Sequence, residues 1–249
     1  MKLKEFKDLK VKFKGLESIN KNYSESFQDI FVLQCFNGKK NGTYLEIGAG
    51  DPINGNNTYL LSDKFGWEGL SIDYGYDGWD GDVVITVDGK EFTWVQFQEH
   101  WNKVWFKDRR IEDKLLLSNA LTCDYIKLVD DGIIPPVIDY LQLDIDRGID
   151  NCEINYELLR KIPFDNIDFK VITYEHNIYD TRYVELALES RRYLESKGYI
   201  LIAGNISNIE NKPYEDWWVN LKYINEINPL IIRNTFEHTL SVEKYMFNE

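Results

Sequence analysis

Thr43-Tyr44-Leu45-Glu46-Ile47-Gly48-Ala49-Gly50-Asp51-Pro52 reads as a short buried strand running into a glycine turn, with Glu46 as the acid near the strand end. Glycine lets the backbone take positive φ and pass close to a ligand without a Cβ clash. A second strand-like run, Gly69-Leu70-Ser71-Ile72, ends at Asp73. A glycine turn after one strand and an acid after the next make the adenosine-binding geometry of a doubly wound α/β sheet.

Adenosine cofactors differ in what such a turn must hold. A dinucleotide asks for G-x-G-x-x-G opening directly into a helix that receives the pyrophosphate. Here position 53 is Ile, and Pro52, Asn54, Gly55, Asn56 and Asn57 intervene before a helical pattern begins near Thr58. The chain has 42 acidic and 29 basic residues, a net charge of −13, which disfavours a pyrophosphate pocket. S-adenosyl-L-methionine carries a sulfonium cation and no phosphate, so an acid-rich crevice suits it. The turn therefore points to the methyl donor, and an NAD-dependent oxidoreductase is the alternative on the same fold class.

The 249 residues, 43% of them hydrophobic, are enough to bury a large core. One domain is expected over 1–249, with a basic arm or helix at 1–24, an insertion at 74–110 and a C-terminal extension at 220–249. So acidic a chain lacks the basic face that nucleic acid or an anionic membrane needs. No apolar run approaches the roughly 20 residues that span a bilayer. The lysine-rich N-terminus has no apolar segment of the secretory kind. Cys35, Cys123 and Cys152 have neither CxxC pairing nor metal-ligand spacing, and read as reduced packing residues. The expectation is a cytoplasmic protein (the host's cytoplasm, for a viral source). It would have a small-molecule or glycan acceptor, no nucleic-acid partner and no membrane span, with the oligomeric state open.

Strand and helix patterns alternate from residue 25 onward. Helices are expected at Ser26–Phe36, Thr58–Phe65, Ala120–Val129 and Tyr183–Lys197, the last stopped by Gly198. Strands are expected at Thr43–Ile47, Leu70–Ile72, Leu115–Leu117, Val137–Leu143, Phe169–Tyr174, Tyr199–Ala203 and Trp217–Val219. This alternation implies a mostly parallel sheet with right-handed crossovers. Residues 74–110 break the rhythm with Gly75, Gly78, Gly81 and Gly89 and with Trp79, Trp94, Trp101 and Trp105. Asp82–Val87 before Asp88-Gly89 signals a hairpin, and Glu91–Trp105 a helix. The aromatics there suit packing first and a sugar-stacking or lid role second.

Several motifs in this order resemble the FkbM-like family of S-adenosylmethionine-dependent methyltransferases. They include Gln28-Asp29-Ile30-Phe31-Val32-Leu33, the stretch from Gly42 to Gly50, and Asn57-Thr58-Tyr59-Leu60-Leu61. Gly66-Trp67-Glu68-Gly69-Leu70-Ser71-Ile72-Asp73 and Ile138-Asp139-Tyr140-Leu141-Gln142-Leu143-Asp144-Ile145-Asp146 also match. So do Val171-Ile172-Thr173-Tyr174-Glu175-His176 and Tyr214-Glu215-Asp216-Trp217-Trp218-Val219. The resemblance spans roughly 24–219 outside the insertion. It implies a class I methyltransferase fold: a Rossmann-like, seven-stranded, mostly parallel sheet with an antiparallel last strand and helices on both faces. It also implies O-methylation of a hydroxyl on a sugar or glycan. Where the family usually has Asp-Ala after the third strand, this chain has Asn119-Ala120, whose amide would address the adenine.

The site residues follow from strand ends and from that resemblance. Glu46 would hold the methionine ammonium, since an acid buried at a strand end is costly without a partner. Gly48 and Gly50 would leave room for the cofactor, and Asp73 would take the ribose hydroxyls. Asn57 and Thr58 would line the same loop or cap the next helix. By resemblance, Ser24, Gln28 and Asp29 would reach over the methionine end. Asp144 ends the fourth strand with Asp146 two residues on, and Glu175-His176 ends the fifth. Metal-dependent O-methyltransferases place Mg²⁺ ligands at these two ends, so Asp144, Glu175 and His176 are metal candidates. Without a metal, His176 would be the general base, with Asp144 and Glu175 the other catalytic residues: Glu175 would position His176 or the substrate, and Asp144 would also contact the cofactor. His100 and His238 have no such context. A non-catalytic glycan-binding protein on the same fold is the remaining alternative.

Overall fold

A computed structural model describes residues 6–73, 84–87, 90–93, 96, 115–145, 151–208, 212–233 and 240–248. In chain order the first elements are α1 (Gln28–Cys35), β1 (Thr43–Ile47), α2 (Tyr59–Phe65) and β2 (Glu68–Asp73). A hairpin follows, β3 (Val84–Val87) and β4 (Lys90–Thr93), and then β5 (Leu115–Leu117), α3 (Tyr125–Asp130) and β6 (Val137–Leu143). The second half has α4 (Asn151–Lys161), β7 (Asp168–Glu175), α5 (Val184–Ser196), β8 (Tyr199–Ser207) and β9 (Glu215–Asn220). It closes with α6 (Pro229–Ile232), β10 (Leu240–Ser241) and α7 (Val242–Met246).

Across the main sheet the order is β5-β2-β1-β6-β7-β9-β8-β10. The neighbours from β5 to β7 are parallel, and β9 runs antiparallel between β7 and β8. This is the class I methyltransferase fold. Its seven expected strands are present, and β10 adds a two-residue parallel pairing beyond β8 at the edge. The order turns back on itself between β1 and β6, and ligands of such sheets bind beyond the carboxyl ends of the strands at that point.

Each face of the sheet carries its own core. One face packs Phe31 of α1, Leu60 and Phe65 of α2, Trp67, Tyr140 and Trp217 with Leu9, Val11 and Phe13. Phe31 stacks on Trp217 with ring centroids 4.4 Å apart. The other face packs Leu141, Ile172 and Trp218 against Leu158, Leu159 and Leu194 of α4 and α5. Trp217 and Trp218 enter opposite cores because successive strand side chains alternate. All eight residues of α1 are buried, Gln28, Asp29 and Gln34 among them. The helix shares its core with both chain ends, so its polar side chains must find protein partners.

In the described part of the N-terminal arm, the stretch between two 3₁₀ turns, Phe6–Asp8 and Leu16–Ser18, runs extended rather than as an α-helix. Leu9, Val11 and Phe13 are buried while Lys10, Lys12 and Lys14 are exposed, a period-two pattern. Lys10 N donates to Met246 O at 2.8 Å, and Asn248 N to Asp8 O at 2.9 Å.

Three other elements differ from expectation. The helix expected at 120–129 splits into a single 3₁₀ turn, Ala120–Thr122, and α3, whose N-cap Asp124 accepts from Lys127 N at 3.0 Å. The chain also forms α4, where buried Asn155 interrupts the apolar spacing of Cys152, Leu158 and Leu159 and hides the periodicity. In the insertion the hairpin forms with Val87 opposite Lys90. Because β4 occupies Lys90–Thr93, no helix begins at Glu91; residues 94–95 and 97–114, with Trp94, Trp101 and Trp105, lie outside the described residues, as does Trp79.

Candidate functional site

The carboxyl end of β1 turns through two glycines that are required for different reasons. Gly48 has φ +84°, and a Cβ there would lie 1.6 Å from the Asp144 carbonyl oxygen. The space it leaves belongs to the neighbouring strand: Asp144 N donates to Ile47 O at 3.0 Å, and Gly48 N to Ile72 O at 3.0 Å. Gly50 has φ +53°, but a Cβ there would meet nothing within 4 Å among the described residues. Its N–H donates to Asp73 Oδ2 at 2.8 Å, so the acid ending β2 holds the turn that follows β1.

The residues around that turn divide into engaged and unengaged groups. Glu46 is 1% exposed and accepts from Ser71 Oγ at 2.5 Å and from Thr58 Oγ1 at 3.0 Å. The expected ammonium ligand thus spends both carboxylate oxygens on protein hydroxyls. Asn56 caps α2, its Oδ1 accepting from Tyr59 N at 2.7 Å and Thr58 N at 3.1 Å, and its Nδ2 donates to Ala49 O at 3.1 Å. Capping therefore falls to Asn56 rather than to Asn57 or Thr58. Asn57 is buried, and its Oδ1 meets no donor among the described residues. Asn119 Oδ1 accepts from Leu121 N at 3.0 Å, which makes it the N-cap of the 3₁₀ turn beside β5, and Ala120 behind it is buried.

The segment 24–29 lies against this loop through a parallel bridge between Ser24 and Gly55. Gln28 does not reach outward as expected: its Oε1 accepts from Ser26 N at 2.7 Å and its Nε2 donates to Glu215 Oε2 at 2.6 Å. Asp29 accepts from Tyr23 N and Ser24 Oγ, both at 2.8 Å, and burial raises its carboxyl to about 6. Both are interior to α1, where a helix buried all round turns its polar residues inward.

A cavity of about 310 Å³ opens where β6, β7 and the approach to β9 end. Glu25, Asp144, Glu175, Asn177, Tyr214 and Lys212 line it, with Gly55, Tyr179 and Asn208. The chain leaves β7 sharply. Asn177 takes φ +46°, and the N–H groups of His176 and Asn177 both donate to Tyr214 O, at 2.7 and 3.0 Å. The Asn177 side chain donates to Glu175 Oε1, which fixes that carboxylate at the cavity wall. Tyr214 in turn hydrogen-bonds Ser26 through its hydroxyl. Asp144 and Glu175 are thus brought together as expected for neighbouring strand ends.

His176 is not part of that wall, which corrects its expected role as general base or metal ligand. It is 1% exposed, its Nδ1 accepts from Ile178 N at 3.1 Å, and its Nε2 lies 3.0 Å from Asp216 Oδ1. Nδ1 is thus engaged by the backbone, and Nε2, though close to the carboxylate, makes no aligned hydrogen bond among the described residues. Asp216 also binds Arg191 Nε at 2.7 Å and Nη2 at 2.9 Å, and accepts from Asn205 N at 2.8 Å. His176, Arg191 and these hydrogen bonds outweigh burial and hold Asp216 well below the usual carboxylate range. Alternation explains the misplacement: Glu175 faces the cavity, so the next residue turns under the sheet toward β9.

Among the described residues no group of three or more His, Cys, Asp or Glu is placed to hold a metal ion; Asp146 lies outside them. The Mg²⁺ expectation built on Asp144, Glu175 and His176 therefore loses its third ligand. Glu215, at the start of β9, follows the cavity residue Tyr214 and is not marked by any sequence motif of the site. It is 2% exposed, hydrogen-bonds Gln28 and Trp217 Nε1, and burial pushes its carboxyl up to about 8. Two acids preceding Trp217-Trp218 in a strand buried throughout were the available signal, since a buried carboxyl needs dedicated partners.

No family model matches the chain, and no curated protein matches it. Solved structures similar to it include a Clostridium thermocellum protein described as an rRNA methylase, 14% identical over 81% of this chain and 97% of that one, with a TM-score of 0.48. A Streptococcus mutans protein described as a methyltransferase, solved in complex with SAH, is 12% identical over 82% and 100%, with a TM-score of 0.45. Spermidine synthase from Thermotoga maritima is 14% identical over 90% and 71%, with a TM-score of 0.46. The fold assignment rests on the strand order itself. No helix among the described residues is long and apolar enough to cross a membrane.

Proposed function

We propose that the protein is an S-adenosylmethionine-dependent O-methyltransferase of FkbM-like type acting on a hydroxyl of a sugar or glycan. The observation that carries the reading is one juxtaposition. At the carboxyl edge of a class I methyltransferase sheet, the turn that Asp73 holds at Gly50 packs through Gly48 on Asp144, which lines an acid-rich cavity.

The residues present fit the donor in two respects. Among the described residues nothing crowds Gly50, where a nucleoside would approach beside the Asp73 carboxylate. A buried amide oxygen in the same loop, Asn57 Oδ1, has no donor among the described residues. When bound, the donor supplies a methyl group already activated on its sulfonium. What remains for the chain is to align the acceptor oxygen and take its proton, and alignment alone contributes up to roughly 7–11 kcal/mol in favourable cases. The cavity offers carboxylates, amides, two phenols and one lysine rather than a wholly apolar wall, which suits a polyhydroxyl acceptor. Asp144, with the donor side on one hand and the cavity on the other, would accept the hydroxyl proton; Glu175, fixed by Asn177, would orient the ring.

Transfer of labelled methyl from S-adenosylmethionine to a panel of sugar glycosides tests the reading. Methylation of at least one glycoside, lost in Asp144→Asn, is expected. Stabilisation by NAD but not by S-adenosylhomocysteine in a thermal-shift comparison would replace it with the oxidoreductase.

A further inference from the structure

Tyr179 is 47% exposed, and among the described residues it is the one aromatic side chain left so open to solvent. It also lines the cavity at the ends of β6 and β7. The backbone that carries it is fixed. The N–H groups of His176 and Asn177 donate to Tyr214 O, and that of Ile178 to His176 Nδ1 at 3.1 Å. Those of Tyr179 and Asp180 donate to Pro213 O at 3.1 Å and to Asn177 O at 3.0 Å. Five consecutive amides are thus engaged beneath an exposed ring. Lys212, next to the Pro213 that Tyr179 N binds, places its ammonium 5.8 Å from the ring centroid, within cation–π reach.

The rest of the wall has the opposite character. Glu25, Asp144, Glu175, Asn177 and Asn208 bring carboxylates and amides, which hydrogen-bond hydroxyls. A pyranose has the same two sides, C–H groups across a face and hydroxyls around the edge. Charge narrows the class. Three carboxylates stand against one ammonium among the described lining residues, so a sugar carrying its own acidic group meets net repulsion. We infer that Tyr179 is the platform of the acceptor subsite, and that the acceptor is a pyranoside without an acidic group, its C–H face laid on that ring. The inference rests on the sugar-hydroxyl reading above and gives Tyr179 a part in specificity rather than in the chemistry. The ring holds the sugar while its edge hydroxyls meet Asp144 and Glu175. An aromatic already fixed by its loop loses little freedom when the sugar arrives, which is why the pinned backbone favours binding.

Initial-rate kinetics on the full chain test it, with labelled S-adenosylmethionine as donor. The acceptors are the methyl pyranosides of glucose, galactose and mannose, set beside those of glucuronic and galacturonic acid. The neutral glycosides are expected to be better by about tenfold or more in kcat/KM. Tyr179→Ala should raise KM for the best of them about tenfold with kcat kept within about twofold, the mark of a contact made equally in ground and transition states. Tyr179→Phe, which keeps the ring face, should show the wild-type KM. S-adenosylhomocysteine affinity by calorimetry should be unchanged in both variants, which also reports an intact fold. Four results overturn the inference while sugar methylation stands: an unchanged KM in Tyr179→Ala, an equal loss in Tyr179→Phe, a parallel loss of S-adenosylhomocysteine affinity, or a preference for the uronosides. A wild-type chain that methylates none of the glycosides removes the sugar reading and the inference with it.

Discussion

The two halves of the site are held by different kinds of contact. At the β1–β2 end the partners are near in sequence or on adjacent strands: Gly50 with Asp73, Glu46 with Thr58 and Ser71, Asn56 with Ala49. At the β7–β9 end they come from distant elements: Asp216 with Arg191 of α5 and with His176, Glu215 with Gln28 of α1. The first half is a turn motif that a short stretch of chain can build by itself. The second exists only once two helices have docked on opposite faces of the sheet. Perturbing the long-range half should therefore act on folding first, and perturbing the turn should separate folding from ligand approach.

The largest effect is expected at Asp216. Asp216→Ala leaves the Arg191 guanidinium, 18% exposed, without its carboxylate, and breaking such a pair costs about 3–5 kcal/mol. His176→Ala should cost less, about 1–3 kcal/mol, by orphaning Ile178 N–H and one contact of Asp216. Urea unfolding measures both. A His176→Ala chain as stable as wild type that has lost all turnover would restore the imidazole as the base and dissolve the contrast.

The turn should split by position. Gly48→Ala meets both positive φ and the Asp144 carbonyl, and should cost about 2–5 kcal/mol as left-handed strain adds to overpacking. Gly50→Ala meets only the φ term, about 1–2 kcal/mol, while placing a methyl in the space assigned to the nucleoside. The informative readout is S-adenosylhomocysteine affinity in Gly50→Ala. Undiminished binding would mean that the ligand does not lie over Gly50.

The last effect is a slope rather than a single loss. Glu215 has its carboxyl raised from 4.5 to about 8 by burial, so the folded state favours its protonated form. A raised carboxyl contributes stability in full below about pH 4.5, and loses it as pH rises toward and through 8. Asp29, raised to about 6, adds the same sign at lower pH, whereas Asp216 acts oppositely in acid. The stability difference between wild type and Glu215→Gln should therefore shift in favour of the variant between pH 5 and pH 8. A difference independent of pH would show that Glu215 is ionised in the fold throughout.

Legibility followed the same division. The strand order and the glycine turn could be read because each depends on local pattern: apolar runs, punctuating glycines and an acid at a strand end. Asn56 and Asn57 are indistinguishable as letters, and only the loop's path makes one a cap and leaves the other unsatisfied. His176 looked catalytic because it follows an acid at a strand tip, but one-residue alternation turned it toward Asp216. α4 was hidden because Asn155 is buried where an apolar residue would have marked the helix; its side chain instead accepts from Ile145 N at 2.9 Å.

The order of residues by itself determined the alternating architecture, the turn after β1 and the carboxylates at the strand tips, since these arise from backbone sterics and side-chain periodicity over a few residues. Which of those polar groups face a ligand and which are consumed inside the protein was decided by tertiary structure alone. A buried carboxyl or amide takes whichever partner the packing brings within about 3 Å, and no neighbour in sequence specifies that partner.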